Sequence, residues 1–491
     1  MKSSSLTVVV ADQALAVLLS GARAGTLTQD RHGRIRFAYE EAYRDDPGAT
    51  PLSSALPLTA ANHAGRSVLA YLTGLLPDSR DVLERWGARF RVSANNPFAL
   101  LRHVGEDCAG AVQFVRPERL GELAAGSVTW LGIDELAERV RQLRVDPTSW
   151  LGSDNHEGHF SLAGAQAKFA ILRDDGRWGD PSGAIATTHI VKPTAGPFVD
   201  QHLNEHLCLS TAAGAGLLTV LSEIVDFAGE PAVVVTRYDR FRPKGAAHAV
   251  RVHQEDFCQA LSVMPERKYQ SDGGPGAADL FQVARALLPG LAGDKACGQL
   301  VDALAFNWLI GGSDAHAKNF SLLMSGPAVR LAPLYDLASI LPYRLLPGER
   351  LVPGRVSRNP RMAMRIGEYY EIAMVRRDDW VTVARWATLD PDAVLARVEK
   401  LADDVVPALL AAAAEPAVTA AGSKLPTRLV DEVGANVARC RSALSGRPAR
   451  SRPRTAPSPS RTVPRPEGAG ASMPSSTTTP LRRKPGPPSR S

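Results

Sequence analysis

The spacing of apolar residues changes twice along the chain. Residues 14–19 are an apolar run, Ser20-Gly21-Ala22-Arg23 is a turn, 24–29 returns, and 34–39 alternates apolar with polar. Short runs bounded by turn residues predict three successive strands. Residues 51–58 read as extended, because each proline removes a donor and pushes its predecessor out of the helical region. Helical patches follow at 67–76 and 81–86, so residues 1–120 read as a compact α+β domain. Leu136, Val140 and Leu143 stand at i, i+4 and i+7, which predicts an amphipathic helix over 134–143 capped by Asp134. That helix makes 121–150 a helical connector.

Residues 151–250 have the texture of a sheet. Strands are expected at 169–173, at 187–191 (ending on Lys192-Pro193) and at 232–238, where Val233-Val234-Val235-Thr236 is β-branched. Residues 174–183 are turn-rich, and a helix over 204–213 stops near Gly214 and Gly216. From 251 to 445 the pattern is mainly helical. Val301, Leu304, Ala305, Trp308 and Leu309 share one helix face, and Gly311-Gly312 ends that helix. A β-rich half followed by a helical half predicts two lobes. The last segment, 446–491, carries 11 prolines among Ser, Thr and Arg, too little apolar surface to offset ordering, and reads as disordered.

Charge changes the picture less than the totals suggest. The formal charge of the 491 residues is +6. The tail holds nine arginines, one lysine and one acid, hence +9, which leaves −3 for residues 1–445. A basic nucleic-acid-binding face on the main body is therefore not expected. Cys108, Cys208, Cys258, Cys297 and Cys440 are widely spaced and include no C-x-x-C pair, so buried reduced thiols are expected rather than a disulfide framework or a zinc ribbon. Asp12 and Gln13 break the N-terminal apolar run into pieces too short for a secretory signal, and no run of about 18 apolar residues occurs; the expectation is a cytoplasmic protein without a membrane span.

The chemistry concentrates in Gly312-Ser313-Asp314-Ala315-His316-Ala317-Lys318-Asn319, with Asp336 following in Tyr335-Asp336-Leu337. Residues 320–323 and 329–331 read as two strands turning at Ser325-Gly326-Pro327, a hairpin that brings Asp336 back beside the loop. An aspartate, an asparagine five residues on and a second aspartate behind a hairpin are the layout of a kinase catalytic loop. Asp314 is the expected base for an acceptor hydroxyl, and Asn319 and Asp336 the expected Mg²⁺ ligands around ATP. His316 reads as a hydrogen-bonded organiser of the loop, and Lys318 could meet the transferring phosphoryl group. Ser161-Leu162-Ala163-Gly164-Ala165-Gln166-Ala167-Lys168 is small enough for backbone N–H groups to approach phosphate. Lys192 fits the strand-end lysine that meets ATP phosphates, with Glu205 as its acidic partner. His202-Leu203-Asn204-Glu205-His206 also matches the inverted zinc-protease pattern, leaving a metalloprotease as an alternative.

With these residues placed, the chain resembles the HipA family of serine/threonine kinase toxins of bacterial type II toxin–antitoxin systems. The resemblance rests on Ser53-Ser54-Ala55-Leu56-Pro57-Leu58, Gly74-Leu75-Leu76-Pro77-Asp78-Ser79, the Ser161 to Lys168 run, His189-Ile190-Val191-Lys192-Pro193, Thr236-Arg237-Tyr238-Asp239-Arg240, Lys268-Tyr269 and the catalytic block. It implies an α+β, two-lobed protein-kinase-like fold with an additional N-terminal domain. It further implies that Ser161 is autophosphorylated and that Leu162 to Lys168 form the phosphate loop. Thr236 and Tyr238 would lie at the adenine-facing hinge, and Lys192, His316 and Lys318 would line the nucleotide site. Implied partners are a HipB-like helix-turn-helix antitoxin, operator DNA reached through it, and an aminoacyl-tRNA synthetase as substrate, with growth control as the outcome. Two alternatives stand beside this: a catalytically inactive antitoxin-binding module, and a small-molecule or lipid kinase.

Overall fold

The computed structural model describes residues 13–123, 125–150, 160–345, 354, 356–357 and 359–446. The N-terminal apolar run before residue 13 and the basic tail from 447 lie outside these residues. The N-terminal runs form the strands Gln13–Leu19, Ala22–Gln29 and Ile35–Tyr39, joined on either side by Val112–Val115 and Asn62–Ala64 into a five-stranded antiparallel sheet. Helices Arg66–Gly74, Arg80–Phe90 and Pro97–Val104 accompany it. Residues 51–58 are not extended; they turn back on themselves through a Ser53–Leu56 bridge.

A second sheet of six strands runs Ser222–Phe227, Glu230–Thr236, His189–Pro193, Phe169–Asp174, Arg177–Pro181, Val128–Leu131. Three of its strands were not expected, Ser222–Phe227 among them. The turn-rich stretch 174–183 contains Arg177–Pro181 because Asp175 and Gly176, both at positive φ, make a tight hairpin from Phe169–Asp174. The connector at 121–150 supplies Val128–Leu131 as well as the helix Ile133–Val145. Asp134 does not cap that helix: Gly132 is the cap residue, and its N–H donates to Glu135 Oε2 at 2.8 Å. The N-terminal sheet and this one share a single apolar core, in which Leu15, Val17 and Tyr71 meet Phe169, Ile171 and Phe227.

The helical half has its own core around Leu291–Ile310, whose Leu300, Val301, Leu304, Ala305 and Trp308 are buried on all sides by Ala277–Leu287, Arg377–Ala387, Pro391–Ala413 and Leu425–Leu444. Gly311 ends this helix at φ +71, where a Cβ would stand 2.4 Å from Leu341 Cγ, so both the turn and the packing require glycine. All five cysteines are buried and free. Among the described residues no helix is long and apolar enough to cross a membrane.

The N-terminal domain is fastened to the strand His253–Asp256 by buried polar contacts. Ser53 Oγ donates to Glu255 Oε2 at 2.5 Å and Ser54 N to Glu255 Oε1 at 2.9 Å. His253 Nε2 donates to the Leu52 carbonyl at 2.9 Å, and its Nδ1 accepts from Ala111 N at 3.4 Å. Burial holds the His253 imidazole at about 4, although the Leu52 carbonyl works to raise it. Below the ordinary histidine value of about 6.5 the unfolded chain therefore binds protons that the folded chain refuses, and stability falls as pH drops toward 4. Protonated Nδ1 would also lose its capacity to accept from Ala111. Thermal melts should be level above pH 7.5 and decline between pH 6.5 and 4.5. The His253→Gln variant isolates this group, because Asp256, raised to about 6 by burial, works in the opposite sense. An identical pH dependence in both proteins would contradict the neutral, interface-holding role of His253.

Candidate active site

The loop that follows Leu291–Ile310 is shaped by its own backbone. His316 N donates to Asp314 O at 2.8 Å, Asn319 N to His316 O at 2.9 Å, and Asn319 Nδ2 to Asp314 O at 3.3 Å. The Asn319 carboxamide thus spends its N–H on the loop and keeps its oxygen available. Ser321–Ser325 and Ala328–Leu331 pair antiparallel, as the spacing suggested, and return the chain to Asp336. Tyr335 locks the return, its hydroxyl reaching Lys318 O at 2.7 Å and Ser321 Oγ at 2.6 Å. Asp336 sits at φ +57, a left-handed conformation that Asp and Asn tolerate better than most side chains.

Asp314, Asn319 and Asp336 all line one cleft of about 500 Å³ between the six-stranded sheet and the helical half. Lys192, at the end of His189–Pro193, reaches into it between two carboxylates. Its Nζ lies 2.6 Å from Glu205 Oε1 and 3.1 Å from Asp336 Oδ1. Desolvation opposes the charge on Lys192, but Asp336 and Glu205 outweigh it and hold the ammonium above its ordinary range. Burial likewise works to raise Asp336, yet Lys192 and Lys168 bring its carboxyl down to about 2. Burial and the nearby Lys192 lower Lys168 to about 8. Burial raises Asp314, partly opposed by Tyr269, whose hydroxyl donates to Asp314 Oδ1.

Leu162, Ala163, Gly164, Ala165, Gln166 and Lys168 line the same cleft. Gly164 has φ +103, a backbone conformation that side-chain-bearing residues rarely adopt, so the loop makes its turn beside Lys168 only as glycine. Thr236 and Tyr238 line the same cleft, together with Ile190, Val220 and Val235. Tyr238 stacks on Tyr335 at 5.5 Å, while the Thr236 N–H is spent on Leu221 O.

Ala167 and Ser161 lie outside the cleft lining, while Lys318 and His316 line it but make other contacts than expected. Ala167 is buried in the shared core, away from the cleft lining. Ser161 is fully buried and donates to Leu75 O at 2.8 Å, so its hydroxyl points into the N-terminal domain. Lys318 lines the cleft, but its ammonium is already engaged by Asp78 at 2.8 Å. His316 packs edge-on against Tyr269, and its buried Nδ1 has no hydrogen-bond partner among the described residues; contact with an aromatic ring, not hydrogen bonding at Nδ1, holds it. Asp78, Lys268 and Tyr269 are the residues whose place at the site the sequence did not reveal. They stand in segments quoted only for their resemblance.

The donor set fits Mg-ATP. An asparagine oxygen, an ionised aspartate, two lysines and a glycine turn face one cavity, and among the described residues no three His, Cys, Asp or Glu side chains gather into a self-sufficient metal cage. Mg²⁺ binds through one or two protein oxygens plus substrate phosphates in such settings. The zinc-protease alternative does not fit. His202 Nδ1 bonds Thr194 Oγ1, His206 lies between Ser222 Oγ and Glu415, and Glu205 holds Lys192.

Residues 15–115 match the model of the HipA N-terminal domain, and residues 160–409 that of the HipA-like C-terminal domain. Y4mE of Sinorhizobium fredii, which is named as a kinase, is 39% identical over 398 residues, covering 80% of this chain and 90% of its own. The serine/threonine-protein kinase toxin HipA of Shewanella oneidensis is 29% identical over 308 residues, covering 59% and 67%. A solved Shewanella oneidensis complex of HipA, HipB and operator DNA contains a chain that superposes with a TM-score of 0.71 at 23% identity, over 87% of this chain and 97% of that one. That likeness establishes the fold.

Proposed function

The chain belongs to the HipA family of kinases, and from that premise we propose that it transfers the γ-phosphoryl group of Mg-ATP to a serine or threonine of a protein. The observation that carries this reading is the convergence of Asp314, Asn319, Asp336 and the paired Lys192 on one cleft. Asp314 accepts the proton of the acceptor hydroxyl; Tyr269 occupies Oδ1, which leaves Oδ2 for the acceptor. Lys192 and Lys168 offset phosphate charge, and Gly164 lets the loop backbone approach it. The Asn319 oxygen and Asp336 would hold Mg²⁺, which would supply positive charge to offset that of the phosphates. Ile190, Val220 and Val235 offer an apolar slot for the adenine.

The family premise extends the proposal to the biology. A HipB-like antitoxin would restrain the kinase and carry it to operator DNA, and an aminoacyl-tRNA synthetase in the cytoplasm would be its target. Ser161 would be phosphorylated only after its loop leaves Leu75, because its hydroxyl is buried in the closed arrangement. Incubating the full chain with Mg²⁺, γ-labelled ATP and bacterial extract should place label on serine or threonine of a protein. Label confined to lipid or small molecules would overturn the acceptor class.

A further inference from the structure

We propose that Asp78, on the N-terminal domain, is a positioning residue that clasps the phosphate loop to the catalytic loop; the proposal rests on the kinase reading of the cleft. Segment 74–78 leaves the helix Arg66–Gly74 and touches both loops at once. On one side Ser161 Oγ donates to Leu75 O at 2.8 Å, and Asp78 N donates to Gly164 O at 3.0 Å. On the other, Lys318 Nζ donates to Gly74 O at 3.3 Å and to Asp78 Oδ1 at 2.8 Å. Asp78 Oδ2 accepts from Lys268 Nζ at 2.7 Å, and the next residue, Tyr269, holds Asp314.

One carboxylate therefore takes one lysine on each oxygen while its backbone holds the glycine of the phosphate loop. The three side chains are largely dry, with 8% of Asp78, 3% of Lys318 and 13% of Lys268 exposed. Without the Asp78 charge, two largely buried ammonium groups lose the carboxylate they share, and among the described residues Lys318 keeps only the Gly74 carbonyl as a hydrogen-bond partner. Lys318 and Lys268 would lose their shared counter-charge, and segment 74–78, whose Asp78 N–H holds Gly164, would be fixed less firmly. The N-terminal domain thus sets the geometry of a site to which it gives no reacting group.

The test uses the full chain with Asp78→Asn and Asp78→Glu. Hydrogen exchange of residues 161–168 should quicken in Asp78→Asn, while exchange in Leu425–Leu444 stays as in the wild type. Binding of a fluorescent ATP analogue with Mg²⁺ should weaken about tenfold, the size of one lost charged hydrogen bond. Asp78→Glu, which keeps the charge, should recover part of both. Unchanged exchange at 161–168 in Asp78→Asn overturns the clasp even if the wild type is an active kinase. A wild type that neither binds the analogue nor transfers phosphoryl overturns the kinase reading, while the exchange comparison still decides the clasp. If Asp78→Asn does not fold, Lys268→Gln removes only the more exposed lysine; it should loosen 161–168 to a smaller degree, and no loosening counts against the proposal.

Discussion

Asp336→Asn is expected to lower phosphoryl transfer on the order of 10³-fold while the melting temperature stays within a few degrees of wild type. The loss follows from replacing an ionised oxygen donor, held at about 2 by Lys192 and Lys168, with a neutral amide. The fold survives for two reasons. Asparagine tolerates the left-handed backbone at φ +57, and Lys192 retains Glu205 at 2.6 Å, so no buried charge is stranded. Lys192→Met is a poorer probe, because Glu205, only 3% exposed, would lose its counter-charge. Transfer measured alongside thermal melting checks the prediction. Wild-type transfer in Asp336→Asn would remove this residue from the site.

Asp107→Ala should destabilise the protein by ~3–5 kcal/mol, the cost of breaking a buried ion cluster from one side. Asp107 Oδ1 accepts from Arg240 at 2.8 Å and Arg251 at 3.2 Å, and Oδ2 from Thr187 Oγ1 at 2.5 Å. Arg237 is shared with Asp239, whose Oδ2 also accepts from Gly110 N at 2.7 Å. Three guanidinium groups stand against two carboxylates, so removing Asp107 leaves three facing one. Burial works to raise Asp107, but Arg240, Arg251 and Arg237 drive its carboxyl well below the ordinary range. Its contribution is therefore complete above the unfolded carboxylate value near 4 and fades as pH falls below it. Denaturant midpoints at neutral pH measure the loss; an unchanged midpoint would mean that the cluster contributes nothing to holding the N-terminal domain on residues 187–251.

Local relations were legible in the sequence. The hairpin between Asn319 and Asp336 spans few residues, so turn chemistry and alternation were enough to bring the two together. Lys192 with Glu205 is 13 residues apart and was legible for the same reason. The clasp was not, because Asp78 and Lys318 are 240 residues apart and no spacing rule connects them. The same limit hid the cluster around Asp107, although Thr236-Arg237-Tyr238-Asp239-Arg240 already carried an unusual density of charge for a strand end. Turn chemistry accounts for the misread segments. Asp175-Gly176 makes a hairpin where only a loop was expected, and the prolines at 51 and 57 flank a reversal rather than a strand. The direction of the Ser161 side chain depends on the Leu75 carbonyl of another domain, which the loop sequence cannot encode.

The most direct measurement is intact-mass spectrometry of the full chain after incubation with Mg-ATP, wild type beside Asp314→Asn. The wild type should gain phosphoryl groups and consume ATP, while Asp314→Asn, equally folded by circular dichroism, should do neither at a comparable rate. Equal gain in both proteins would show that Asp314 is not the base, and a wild type that never gains phosphate nor passes it to another protein would contradict a phosphoryl-transfer site in this cleft.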